Sequence, residues 1–182
     1  MPAAGLVLAA GEGRRFGGPK APAVIDGERL VDRAVRVLRD GGCDPIVVVL
    51  GAWVGDVPGA EVVINSEWAE GMGSSLRAGL GALGADRVVV TLVDLPGMTA
   101  EAIGRFVDSP ARLAQGAFDG VRGHPVAIGA EHVDGIVASA RGDRGARDYL
   151  REHATEVEVI EIGDVASGED LDEPLHSTGS GG

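Results

Sequence analysis

Short runs of consecutive apolar residues alternate along the chain with stretches in which apolar positions recur every three to four residues. The apolar runs predict strands buried on both faces of a sheet, over 4–9, 45–50, 61–64 and 87–93. The amphipathic stretches predict helices over 28–40, 74–83 and 99–107. Ser74 or Ser75 is expected to cap the second helix, and Thr99 the third. This order is typical of a doubly wound, mostly parallel α/β sheet.

The second half of the chain shows a weaker pattern. Two runs, 113–118 and 125–128, predict a small antiparallel pair joined by a turn, followed by a helix near 145–153 and a strand over 157–162. We see no internal repeat and no sign of a second domain, so one domain is expected over 1–176. The glycine- and serine-rich end, 177–182, is expected to be a flexible tail.

Charge and cysteine content exclude several classes of protein. The formal net charge of −12 over 182 residues opposes binding to nucleic acid or to an anionic membrane surface. Cys43 is the only cysteine, which excludes an internal disulfide and a multi-cysteine zinc site. The chain also has no basic leader and no apolar run long enough to span a bilayer. We therefore expect a cytoplasmic protein whose partners are small molecules.

The loop after the first predicted strand has the composition of an anion site. It combines four glycines with three cations: Gly11, Gly13, Gly17 and Gly18 with Arg14, Arg15 and Lys20. Glycines let successive backbone N–H groups approach an anion closely, so the loop predicts a triphosphate cradle; a solvated surface loop is the alternative. Ala21 follows the lysine where a GTPase loop needs Ser or Thr, and Phe16 replaces the third glycine of the dinucleotide fingerprint. Lys20 is the only lysine in the chain.

Acidic residues near this loop predict a metal site. Asp94 closes the fourth predicted strand, where a carboxylate can hold Mg²⁺ together with phosphate oxygens, although such a residue often only forms a turn or a cap. The acidic stretch from Glu169 to Glu173 offers a second carboxylate, for which we select Asp172.

Two further segments contain candidate binding residues. The stretch 65–76 (NSEWAEGMGSSL) offers Asn65, Gly71, Ser74 and Ser75 to a base and ribose, or the serines act only as caps. The blocks RGHPV and GDRGAR suggest a second anion pocket with Arg122, His124, Arg144 and Arg147; the alternative is a structural histidine and surface arginines that pair with acidic residues. Ligands of open α/β sheets bind at the carboxyl ends of the strands, so the loops after the first, third and fourth predicted strands should share one crevice.

Taken in order, these motifs resemble the molybdenum cofactor cytidylyltransferase family, whose fold is that of molybdenum cofactor guanylyltransferase, a Rossmann-like nucleotidyltransferase fold. The matching blocks are LAAG with Arg15 and Lys20, the GM-x-SSL block, Asp94-x-Pro96, RGHPV, GD-x-GAR and a final D-x-D-x-P. The resemblance implies Mg²⁺-dependent transfer of a nucleoside monophosphate from an NTP to a small phosphorylated acceptor such as molybdopterin. It also implies transient contact with an enzyme that receives the cofactor.

The resemblance also implies roles for individual residues. Catalysis is expected to depend on Lys20, Arg15 and Asp94. Nucleotide-binding positions are expected at Leu8, Ala9, Ala10, Gly11, Gly13, Arg14, Arg15, Lys20, Asn65, Gly71, Ser74 and Ser75. Arg122, His124 and Arg147 are expected to face the acceptor, and Asp94 and Asp172 to bind the metal.

Other functions remain open at the level of sequence. The LAAG block is similar to the cytidylyl branch and favours CTP, whereas the guanylyl branch typically reads LAGG. Actinobacterial relatives of this type are also labelled nicotine blue oxidoreductases, which makes an NAD(P)H- or flavin-dependent reductase the alternative from another class. A non-catalytic cofactor-binding protein is a third possibility.

Overall fold

The computed structural model describes residues 2–173. Along these residues the strands are β1 (Ala4–Ala9), β2 (Val24–Ile25), β3 (Glu28–Arg29), β4 (Ile46–Leu50), β5 (Glu61–Ile64), β6 (Arg87–Leu92), β7 (Leu113–Phe118), β8 (Val121–Gly129) and β9 (Val157–Glu161). The helices are α1 (Leu30–Asp40), α2 (Met72–Ala82), α3 (Ala100–Asp108), α4 (Ala130–Ser139) and α5 (Arg147–Glu152). The predicted tail at 177–182 lies outside the described residues.

Seven of these strands form one sheet, in the order β5-β4-β1-β6-β8-β7-β9. The pairs of β1 with β4 and with β6 are parallel, and Val7 faces Val48 on one side and Thr91 on the other. Only β8 runs against its neighbours, between β6 and β7. The two short strands β2 and β3 form a separate antiparallel pair. The expected doubly wound sheet with a small antiparallel addition is therefore confirmed.

The strand pleat sends alternate side chains of β1 into two cores, one on each face of the sheet. Val7 packs with α1 and α3, whose apolar faces supply Leu38, Ile103 and Phe106. Leu6 and Leu8 pack on the opposite face with α2, α4 and α5. Because β1 is buried on both faces, it is apolar throughout, as the sequence pattern indicated.

Three of the predicted elements need correction here, and one helix was not predicted. β5 is an edge strand with exposed ends rather than a strand buried on both faces, because only β4 pairs with it. α1 begins at Leu30 rather than at Glu28, since Glu28 and Arg29 pair with β2. β8 begins at Val121, so Arg122, Gly123 and His124, which we had placed in the connection before a strand at 125–128, belong to the strand. The helix α4 escaped sequence reasoning because polar residues and Gly135 interrupt its short apolar pattern.

After β9 the chain returns across the carboxyl end of the sheet. Thr99 caps α3 through Ala102, as expected, and its hydroxyl donates to the carbonyl of Val165. The Leu171 amide then donates to the carbonyl of Asp94 at 2.9 Å. These bonds bring the acidic stretch to the end of β6. Within residues 2–173, no helix combines the length and apolar character needed to cross a bilayer.

Candidate active site

The loops after β1, β5 and β6 surround one cavity of about 530 Å³ at the carboxyl ends of the strands. Its lining includes the Leu8–Arg14 segment, Lys20 and Asp94. Gly71 and Ser75, at the start of α2, form the opposite wall. Parallel strands end on the same edge of the sheet, which explains why loops far apart in sequence meet here.

The glycine loop after β1 folds into a tight turn. The amides of Gly17 and Gly18 both donate to the carbonyl of Gly13, whose φ is +62°. A Cβ on Gly13 would overlap the Gly18 carbonyl oxygen, so only glycine fits. Arg14 pairs with Glu12 within the loop. Arg15 is exposed, and it is not among the described residues that line the cavity.

Lys20 lies between two carboxylates. Its Nζ is 3.3 Å from Asp94 Oδ2 and 3.7 Å from Asp172 Oδ1. The Lys20 and Asp94 side chains are 15% and 21% exposed, so this pair is largely shielded from solvent. Burial raises the pKa of Asp94, an effect that the positive charge of Lys20 opposes and the nearby Asp170 reinforces.

The start of α2 differs from the prediction. The helix begins at Met72 with Gly71 at its N-cap position and has no side-chain cap, so neither serine caps it. The Ser74 hydroxyl instead donates to backbone carbonyls, and Asn65 donates through Nδ2 to Ser74 Oγ at 2.8 Å and Ser75 Oγ at 3.0 Å. Asn65 and Ser74 therefore do not line the cavity but stabilise the start of α2 through hydrogen bonds, whereas Ser75 lines the cavity.

A second cavity of about 570 Å³ adjoins the first and shares Leu92 and Asp94 with it. Arg122 and His124, both on β8, line this cavity together with Asp170. Burial, and to a smaller extent the charge of Arg147, lowers the pKa of His124 to about 4, so this imidazole is neutral at pH 7. Arg147 is not among the described residues that line either cavity.

Comparison with known proteins agrees with this geometry. The model of the MobA-like NTP transferase domain matches residues 5–157. The chain belongs to the MobA-like NTP transferase family. The nicotine blue oxidoreductase of Paenarthrobacter nicotinovorans is 36% identical over 185 residues, which cover 92% of this chain and 91% of that protein. The probable molybdenum cofactor guanylyltransferase of Opitutus terrae is 39% identical over 105 residues, covering 56% of this chain and 52% of that protein.

A solved structure shares the fold of this MobA-like domain. Rv0371c from Mycobacterium tuberculosis H37Rv superposes with a TM-score of 0.79 at 24% identity, covering 95% of this chain and 93% of that one. A complex of Rv0371c with manganese gives a TM-score of 0.73 at 22% identity, with 96% of this chain and 92% of that one covered. Together with the family match, the fold makes the chain a nucleotidyltransferase of the MobA-like type.

Sequence reasoning missed several residues that line the first cavity of the MobA-like domain, among them Glu12, Trp68, Met72 and Asp143. Trp68 packs closely against the segment after β4, since its Cβ would lie 2.6 Å from a Cβ on Gly51. Asp143 stands in the GDRGAR block, which we had assigned to a second anion pocket. The glycines on both sides of Asp143 are visible in the sequence and indicate an unusual turn. The sequence does not show that this turn packs against the start of α2.

Proposed function

We propose that this protein transfers a nucleoside monophosphate, with CMP favoured, from an NTP to a small acceptor that carries a phosphate, such as molybdopterin. An acceptor phosphate oxygen attacks the α-phosphorus of the NTP, the bond from that phosphorus to the bridging oxygen breaks, and pyrophosphate leaves. The observation that carries the proposal is the pair of adjoining cavities that meet at Asp94. One has a glycine loop suited to a triphosphate, and the other offers Arg122 to an anionic acceptor.

The chain's own groups position and neutralise rather than react covalently. Lys20 is the cation placed to contact the β- and γ-phosphates, because it lies at the end of the glycine loop and faces the cavity. Negative charge grows on pyrophosphate as it leaves, and a fixed ammonium beside it stabilises the transition state more than the ground state. Backbone amides of residues 11–13, just before the turn, are proposed as further donors.

The carboxylates near Lys20 fit a hard divalent cation. Asp94 Oδ1 is buried without a hydrogen-bond partner among the described residues, and Asp172 lies on the other side of the lysine. In residues 2–173 no cluster of three or more metal-ligating side chains occurs. Mg²⁺ is usually bound by one or two carboxylates, with phosphate oxygens and water as its other ligands. Bound here, it would neutralise negative charge on the phosphates.

The acceptor is proposed to bind in the second cavity. Arg122 presents a guanidinium, which suits a phosphate bidentately, and neutral His124 can donate or accept one hydrogen bond. Because this cavity adjoins the first at Asp94, an acceptor phosphate held there would be close to an NTP in the first cavity.

Release of pyrophosphate tests the proposal directly. The protein is incubated with CTP or GTP, Mg²⁺ and molybdopterin or simpler phosphate-bearing acceptors, and pyrophosphate is measured as phosphate after pyrophosphatase. We expect acceptor-dependent release with CTP. No release with any NTP and acceptor, while CTP binds, would leave only a nucleotide-binding role.

The nicotine blue oxidoreductase relative supports a second candidate, an NAD(P)H- or flavin-dependent reductase of a planar heteroaromatic compound. Dinucleotide sites usually end their second strand with an acidic residue that holds the ribose. Here β4 ends at Leu50 and is followed by Gly51 and Ala52, whose amide donates to the Ala10 carbonyl. A yellow preparation absorbing near 450 nm, or oxidation of NAD(P)H by such a substrate, would favour the reductase over the transferase.

A further inference from the structure

One carboxylate in the first cavity has no use in triphosphate chemistry. Asp143 lines the same cavity as Gly11 and Lys20, but it comes from the 3₁₀ turn Gly142–Arg144 between α4 and α5. Asp94 and Asp172 pair with Lys20, whereas Asp143 has no ion-pair partner among the described residues, and an uncompensated carboxylate repels a triphosphate. Asp143 is therefore suited to the nucleoside end of the ligand, where hydrogen-bond donors rather than phosphates lie.

Two glycines at the start of α2, Gly71 at its N-cap position and Gly73 in its first turn, allow this turn to lie close to the helix. A Cβ on Gly71 would lie 2.6 Å from an Asp143 carboxylate oxygen, and a Cβ on Gly73 would lie 2.8 Å from the Arg141 amide nitrogen. Gly71 also has φ +109°, which disfavours other residues. The glycines of the EGMGSS block thus serve close packing against the GDRG turn.

The turn itself needs glycine on both sides of Asp143. Gly142 has φ +52° and Gly145 has φ +54°, both in the left-handed region. Met72 packs under the turn, with its sulfur 3.2 Å from the position of a Cβ on Gly145. The position of the Asp143 side chain therefore depends on two features: the backbone conformation of its own turn and the close packing of that turn against α2.

The flanking arginines leave the Asp143 carboxylate available. Arg144 pairs with Asp148 at 3.1 Å, and Arg141 donates to the carbonyls of Ala140 and Val137. Within residues 2–173, Asp143 has neither an ion-pair partner nor a side-chain hydrogen bond. The Asp143 carboxylate is exposed and lines the cavity, so it is accessible to a ligand bound there.

We propose that Asp143 binds the ribose of the bound NTP, its two oxygens accepting from the 2′- and 3′-hydroxyls. This inference rests on the proposed nucleotidyl transfer. An ionised carboxylate only accepts hydrogen bonds, and the donors of a nucleoside are its sugar hydroxyls and its base amines. Asp143 is exposed at the rim of the cavity, whereas the apolar wall with Leu8, Ala9 and Met72 suits the face of a base. The paired hydroxyls of ribose match the two carboxylate oxygens.

The test compares Asp143→Asn with wild type on CTP, 2′,3′-dideoxyCTP and UTP, measuring binding by calorimetry and turnover by pyrophosphate release. Loss of a charged hydrogen bond predicts that the Kd and KM for CTP rise about 10- to 100-fold. The kcat stays within about threefold, because the contact does not change in the transition state. Dideoxy-CTP should bind wild type and variant equally. Asp134→Asn, which removes an equal charge from the exposed face of α4, is the control and should match wild type.

A second variant tests the placement. Gly73→Ala keeps the carboxylate but pushes the turn away from α2, so we expect the same loss for CTP and none for dideoxyCTP, with the melting temperature checked in parallel. Equal loss for both nucleotides, or a loss only of the preference for CTP over UTP, overturns the ribose assignment. If wild type binds and uses CTP and Asp143→Asn does the same, this inference fails alone. If wild type binds no NTP, the proposed function fails first.

Discussion

Two replacements of Lys20 separate the effect of its positive charge from the effect of the shape of its charged group. Lys20→Arg keeps the charge but exchanges a compact ammonium for a wider planar group, whereas Lys20→Met removes the charge at similar length. In the structure the ammonium has room for two carboxylates at 3.3 and 3.7 Å and is mostly shielded from solvent. The guanidinium does not fit the same space with the same contacts.

The effect on stability follows from the burial of the pair. Exposed ion pairs contribute under about 1 kcal/mol, and removing one partner of a fully buried pair costs about 3–5 kcal/mol. Lys20 and Asp94 are 15% and 21% exposed, so Lys20→Met should cost about 2 kcal/mol. For a chain of this length that lowers the melting temperature by about 4–8 °C. Lys20→Arg should stay within about 2 °C of wild type.

The effect on rate should be alike for both variants. Loss of one preorganised contact to developing charge typically lowers the rate by about 10²- to 10³-fold, mostly in kcat. Melting curves and pyrophosphate release are measured on each variant, with Arg36→Met as control, because Arg36 pairs with Glu28 away from both cavities. Adding Asp94→Asn to Lys20→Met should recover part of the lost stability, since the carboxylate that then remains without Lys20, Asp172, is half exposed and keeps its hydration. A fully active Lys20→Arg would refute the reasoning.

Three further predictions concern metal, base and pH. Asp94→Asn should abolish the additional thermal stabilisation that Mg²⁺ gives to the CTP complex, and an unchanged Mg²⁺ effect would exclude Asp94 as a ligand. With Mg²⁺ present, CTP should raise the melting temperature more than GTP, and the reverse order would move the assignment to guanylyl transfer. Because burial and Arg147 lower the pKa of His124 to about 4, only the unfolded chain gains that proton as the pH falls from about 6.5 to 4. Wild type should therefore lose up to about 3 kcal/mol of unfolding free energy relative to His124→Gln over this range, measured by denaturant titration.

Some site residues could be predicted because each lies in a short segment that follows a strand recognisable in the sequence. The glycine loop, Lys20 and Asp94 stand directly after β1 and β6, and a buried strand followed by glycine or a carboxylate is visible in the letters alone. Arg15 was chosen for its charge, yet the structure leaves it exposed outside the cavity lining. The direction of a side chain on an irregular loop depends on the loop's backbone angles, which composition does not encode.

The sequence by itself determined the architecture, because parallel strands buried on both faces must be apolar throughout and their helices must be amphipathic. Tertiary structure alone decided what those elements bring together. The return of the chain after β9 places Asp172 3.7 Å from Lys20, and the packing of Gly71 against the GDRG turn places Asp143 in the nucleotide cavity. Both contacts join residues more than seventy positions apart. Periodicity reports which face of an element is buried, whereas such contacts depend on how distant elements pack, which no local pattern records.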